Sequence, residues 1–163
     1  MKAITIHQPW ATLIALGEKR FETRGWPTRY RGPIAIHAAK KVDKELCLQE
    51  PFRSVLDLHG YTANNLPVGA IVAIADLVGC HKVIGNNGTE SAFLNNSKVV
   101  DGHELLFGYF DFGRYAWEMA DVKQIDPVPA KGQQGLWNWG EERDASRTCV
   151  GCESSGGVGL RSR

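Results

Sequence analysis

The chain has 163 residues, 43% of them hydrophobic and 23% charged, proportions that fit a soluble globular protein and exclude collagen-like, fully disordered and coiled-coil chains. That length suits one domain with one core, able to bury roughly 70% of its unfolded surface. The formal net charge of +1 hides an uneven layout: residues 1–44 hold nine Lys or Arg against three Asp or Glu, and residues 45–126 hold five against eleven. The basic opening segment is either a footprint for phosphates or the complement of the acidic stretch in the same fold.

Residues 2–7 alternate apolar and polar side chains around Ile4, Thr5 and Ile6, which predicts a first strand. Pro9 suits the first turn of a helix, Trp10, Leu13 and Ile14 share one face, and Gly17 closes it. Residues 20–26 predict a second strand with Arg20, Glu22, Arg24 and Trp26 on one face and Phe21 and Thr23 on the other. A third strand spans residues 33–38 through Ile34 and Ile36. Asp43 can cap a helix carrying Leu46, resumed after Pro51 by Val55, Leu56 and Leu58 and stopped near Gly60.

GAIVAIADL, residues 69–77, is the strongest central strand. Residues 85–104 read as a long polar loop, residues 114–125 as a further strand carrying Tyr115, Trp117 and Met119, and GLWNWG, residues 135–140, as a closing aromatic turn. The pattern predicts an α+β domain with a short helix after the first strand and a second helix between strands three and four. A small β-barrel fits it better than a doubly wound parallel sheet. The domain is expected over 1–143, and the Ser-, Gly- and Arg-rich stretch 144–163 is expected to be a disordered tail.

No apolar run approaches the ~20 residues of a membrane-spanning helix, and His7, Gln8 and Pro9 interrupt what would otherwise pass for a secretory leader. A cytoplasmic protein with reduced thiols is expected, since Cys47, Cys80, Cys149 and Cys152 are too few and too scattered for a disulfide framework. The histidines never fall at metal-ligand spacing, Cys149 and Cys152 form a lone CxxC, and phosphate-loop, nucleophile-elbow and dinucleotide motifs are absent. Neither a metal nor a cofactor is expected.

What remains is a constellation near the start: Gln8, Pro9 and Trp10, then Gly17, Glu18 and Lys19, then Glu22, Arg24 and Trp26, with His37 and Lys40 beyond. Lys or Arg for phosphate, Trp for stacking and Glu or Gln for a hydrogen-bonding edge suit a nucleotide. A solvated strand face with an ordinary ion pair is the alternative. Lys19 and Glu22, three apart, reach one site only if Lys19 lies in the turn before the strand.

QPWATLIALGEKRFETRGWPTRYRGPIAIHA resembles the opening of the ASCH domain family (activating signal cointegrator 1 homology), and RYAWEM with QGLWNW resembles its closing strand and turn. The resemblance covers roughly residues 3–140 and implies a PUA-like β-barrel with a cleft beside the first helix that binds RNA or a nucleotide, single-stranded or with a flipped-out base. Lys19 falls on the family's lysine after the helix-ending glycine, Glu22 and Arg24 on its charged strand, Pro9 and Trp10 on the helix start, and Gln134, Gly135 and Trp137 on the closing turn.

In the nucleic-acid reading, Lys19, Arg24 and Lys40 neutralise phosphate, Trp10 or Trp26 stacks or closes the pocket, and Gln8 and Glu22 read a base edge. One branch of the family resembles amidohydrolases that deacetylate N4-acetylcytidine with a lysine, a threonine three residues later and a distant glutamate. Lys19 matches the lysine, Glu22 stands at the threonine position beside Thr23, and Glu90 is the positional counterpart of the glutamate. That alternative makes Lys19 and Glu22 the candidate catalytic residues. A third expectation is a protein partner held by exposed Trp137 and Trp139.

Overall fold

Period-two alternation in the first strand sets the architecture. The computed structural model describes residues 1–140; the expected tail over 144–163, with its CxxC, lies outside the described residues. In β1 (Lys2–Gln8), Ile4 and Ile6 turn to one face and meet Ile34, Ile36, Val72, Leu77, Trp117 and Met119 in the main core. Ala3 turns to the other face and packs with Ala35, Ile71 and Trp137. Burying one such aliphatic side chain fully stabilises by about 1.5–3 kcal/mol.

Helix α1 (Trp10–Ala15) starts as the sequence predicts, and Gln8 Oε1 accepts from the Thr12 N–H at 2.9 Å, satisfying a donor that the helix itself leaves free. Ala11, Ile14 and Ala15 pack on the main core, while Leu13 points into a second cluster with Phe52, Leu56 and Phe107. Gly17, at φ +78°, turns the chain after the helix in a conformation other residues rarely adopt. β2 (Phe21–Arg24) follows, then β3 (Gly32–Val42), which runs parallel to β1 with Ile4 opposite Ile36 and Thr5 opposite His37. A parallel pair needs a crossover, and α1 with β2 supplies it.

The Asp43 carboxylate accepts from Leu46 N at 3.1 Å and caps α2 (Lys44–Cys47); α3 (Phe52–Leu58) resumes after Pro51. Both helices precede β4 (Ala70–Asn86), the central strand of the sequence reading. β7 (Tyr115–Pro129) pairs antiparallel with β4 on one side and with β2 on the other.

The stretch expected to be a loop, 85–104, is structured: β4 continues to Asn86, β5 (Ser91–Leu94) and β6 (Val99–Asp101) form a ladder beside it, and α4 (Gly102–Phe107) follows. Each contributes only one or two core residues. Ala92, Leu94, Val100 and Leu105 are nevertheless buried with Phe21, Val83 and Phe110, so packing from distant strands orders elements whose own apolar signal is slight.

The closing aromatic turn contains β8 (Leu136–Asn138), antiparallel to β1. Trp137 is buried and Trp139 packs partly buried in the same cluster, which returns both rings to the core rather than to a protein partner. The sheet order is β2-β7-β4-β3-β1-β8. Closure into the expected barrel is not shown: β2 and β8, the short strands at the two ends, pair only inward, with β7 and β1. Among the described residues no helix is long and apolar enough to cross a membrane.

Truncating Ile36, fully buried in the main core, should lower unfolding free energy by about 2–5 kcal/mol in Ile36→Ala. The same truncation at Ile84, 52% exposed, should stay within about 0.5 kcal/mol. Urea titrations of the two variants check the contrast.

Candidate functional site

Lys19 lies in the turn before β2, the placement its spacing from Glu22 requires, and a chain of charges runs from it. Its Nζ donates to the Phe21 carbonyl and sits 3.9 Å from Glu22 Oε2; Glu22 Oε1 accepts from Arg24 Nε at 3.1 Å; Arg24 Nη2 donates to the Thr5 carbonyl at 2.9 Å. The three side chains grade from inside to outside: Lys19 is 1% exposed, Glu22 12% and Arg24 24%.

Burial lowers the Lys19 pKa from its ordinary 10.5; Glu22 and Glu104 oppose that shift and Arg24 adds to it. Glu104, on α4, also accepts from the Arg20 and Phe21 N–H groups at 2.7 and 3.4 Å, tying the start of β2 to a segment expected to be loop.

Arg24 opens onto a cleft of about 390 Å³ lined by Thr5, His7, Trp10, Thr23, Lys41, Asp43, Tyr109 and Arg114. Trp10 is anchored there by Nε1 donating to the Phe107 carbonyl at 2.7 Å, and its ring lies 6.2 Å from that of the exposed Tyr109. Arg114 donates through Nε to the Tyr109 carbonyl at 3.0 Å and through Nη2 to the Thr23 carbonyl at 3.2 Å. Both guanidiniums are thus fixed along one edge, and among the described residues neither Nη1 donates to a protein acceptor. Two arginines, a lysine and two aromatic rings face one acid, Asp43.

The other expected site residues lie elsewhere. Gln8 is fully buried, its amide donating to Thr12 Oγ1 and to the Pro67 carbonyl, both at 2.7 Å, so its hydrogen bonds serve the start of α1. Trp26 stacks edge-on against Trp117, ring centres 4.8 Å apart, outside the residues lining the cleft. Lys40 is exposed and lines a neighbouring groove with His37 and Gln134. Glu90 is an exposed turn residue between β4 and β5.

Sequence reasoning missed His7, Lys41, Tyr109 and Arg114. His37, Ala39 and Lys41 alternate along β3, so the strand period did carry a signal for Lys41. Tyr109 and Arg114 arrive from a distant part of the chain and carried none.

Where the native Lys19 pKa is lowered, the unfolded chain holds more protons between that value and 10.5, so stability rises with pH across this window. Relative to Lys19→Met, which lacks the titrating group, the unmodified protein should gain stability as pH goes from about 8 to about 10. Urea titrations of both proteins across that range check it, and a constant difference would contradict the lowered pKa.

Comparison with known proteins bears on the family and the fold. Activating signal cointegrator 1 from Homo sapiens is 36% identical over 80 residues, 47% of this chain and 14% of that protein. The same protein from Mus musculus is 35% identical over a stretch of equal length and coverage. The chain therefore matches only a small part of those relatives. The crystal structure of ASCH from Zymomonas mobilis shares the fold with a TM-score of 0.50 at 13% identity, over 91% of this chain and 94% of that one. A point mutant of that protein gives 0.51 at 15% identity, over 91% and 96%. The ASCH domain family model matches residues 4–129, a span holding every residue of the cleft, and this chain belongs to the ASCH domain family.

Proposed function

We propose that the protein binds RNA or a nucleotide in the cleft beside α1, as an ASCH domain of the nucleic-acid-binding kind. The observation that carries this reading is the fixed pair Arg24 and Arg114 with Lys41, set around the rings of Trp10 and Tyr109. Guanidiniums held by their Nε and Nη2 edges present the rest of the fork to a phosphate without further ordering cost. An exposed tyrosine beside a half-buried tryptophan offers a stacking face for an unpaired base. The cleft volume lies within the roughly 300–1,000 Å³ typical of small-molecule pockets, enough for one nucleotide.

Binding of a labelled single-stranded RNA, followed by fluorescence anisotropy against salt, tests this. Lys41 is exposed and makes no ion pair among the described residues; Lys41→Ala should weaken binding and make the salt slope shallower by about 0.7, the share of a single neutralised phosphate. Tyr109→Ala should cost about 1–3 kcal/mol if a base stacks there, with little change in that slope. Wild-type affinity in both variants would remove the cleft from RNA binding.

A second reading, amide hydrolysis of an acylated cytidine with Lys19 as base, draws on one observation, the lowered Lys19 pKa. Its Nζ is buried and committed to the Phe21 carbonyl, and Lys19 does not line the cleft. Chromatography should therefore find no more cytidine released from N4-acetylcytidine than with Lys19→Ala; clear turnover above that control would reinstate hydrolysis.

A further inference from the structure

Next to the cleft lies a second, wider hollow of about 870 Å³, lined by Thr5, His37, Lys40, Lys131, Gly132 and Gln134 among others. Thr5 belongs to both hollows. Its carbonyl accepts from Arg24 at 2.9 Å on the cleft side, and its Oγ1 accepts from Trp137 Nε1 at 3.1 Å. The parallel pairing of β1 and β3 explains the adjacency. Thr5 and His7 on one strand, with His37, Ala39 and Lys41 on the other, share the sheet face opposite the main core. Ala39 and His37 line the wide hollow, and His7 and Lys41 line the cleft.

The wide hollow has its own ligand chemistry. Its walls include Ala39, Gly69, Pro129 and Ala130, which suit the face of a base. Lys40 and Lys131 are exposed on it, and among the described residues neither forms an ion pair. His37 is 2% exposed, and its Nε2 lies 2.7 Å from the Ala130 carbonyl, which only a protonated Nε2 can satisfy. Nδ1 is then a buried acceptor with no protein donor. It faces Gly132, where an added Cβ would fall 2.9 Å from both Nδ1 and Thr5 Oγ1. Gly132 thus covers that lone pair, and His37 forms part of the hollow's wall rather than an edge for a base to read.

We propose that the two hollows form one track for single-stranded RNA of at least two nucleotides, one nucleotide in each, with the chain passing over Thr5. This rests on the nucleic-acid reading of the cleft and extends it from a single nucleotide to a strand. Splayed bases, rather than a duplex, fit two separate recesses in one sheet face. Lys40 and Lys131 neutralise the phosphate of the second nucleotide, as Arg24, Lys41 and Arg114 do that of the first.

Affinity as a function of length tests the track. Cytidine 5′-monophosphate, the dinucleotide and an oligocytidylate of about six residues are titrated at low salt, the shortest by competition, and the six-residue strand should bind about tenfold or more tighter than the monophosphate. The double variant Lys40→Glu, Lys131→Glu should lose most of that gain with length. Lys41→Glu should weaken all three ligands and keep the gain. A double variant that retains the wild-type gain, or a wild-type protein with no gain from one nucleotide to six, overturns the track and leaves the single-nucleotide cleft standing. Absence of binding to any of the three overturns the cleft reading as well.

Discussion

The parallel pairing of β1 with β3 is the constraint on which the rest of the fold depends. Side chains alternate across a strand, so the register up to Ile6 assigns Ile4, Ile6, Ile34 and Ile36 to the main core and Thr5 and His37 to the opposite face; past a register shift, His7 and Lys41 line the cleft. A slip of β1 by one residue would turn Ile4 and Ile6 out of the main core and Thr5 and the exposed His7 into it. That penalty holds the register. Trp137 reaches along the opposite face from Ala3 and Ala35 to Thr5 and His37, and polar residues there and beyond line recesses.

Charge burial near β2 has a similar structural logic. A lysine removed from water is costly unless paired, and here Glu22 and Glu104 lie close enough to oppose the desolvation of Lys19 without cancelling it. Glu22 is in turn held by Arg24, and Arg24 by the Thr5 carbonyl. The chain of contacts links the turn before β2 to β1, two strands that do not pair with each other. Its inner end is buried, and its outer end reaches solvent in the cleft that Arg114 also lines.

Much of the framework was legible because strong local signals agreed with tertiary need. The helix after Pro9, its end at Gly17, the Asp43 cap and the β-branched run of β4 each recur in the structure where the pattern puts them, although Leu13 and Ile14, expected on one face, divide between two clusters. The segment over 85–104 was illegible for the opposite reason. Ala92, Leu94, Val100 and Leu105 are too sparse to show a period, and they are ordered by Phe21, Val83 and Phe110 from other parts of the chain. Gln8 marks another limit: the residue type suits a base edge, but only the fold shows its amide engaged by Thr12 and Pro67.

By itself, the sequence determined the α+β class, the helix beside the first strand, the basic opening segment and the family resemblance, because each is written in spacing or in contiguous motifs. Tertiary structure alone decided that Lys19 turns inward while Arg24 turns out, that Tyr109 and Arg114 join Trp10 from about a hundred residues away, and that Thr5 stands between two hollows. The physical reason is that a strand's period fixes which face a side chain takes, whereas what covers that face depends on elements whose positions no local pattern records.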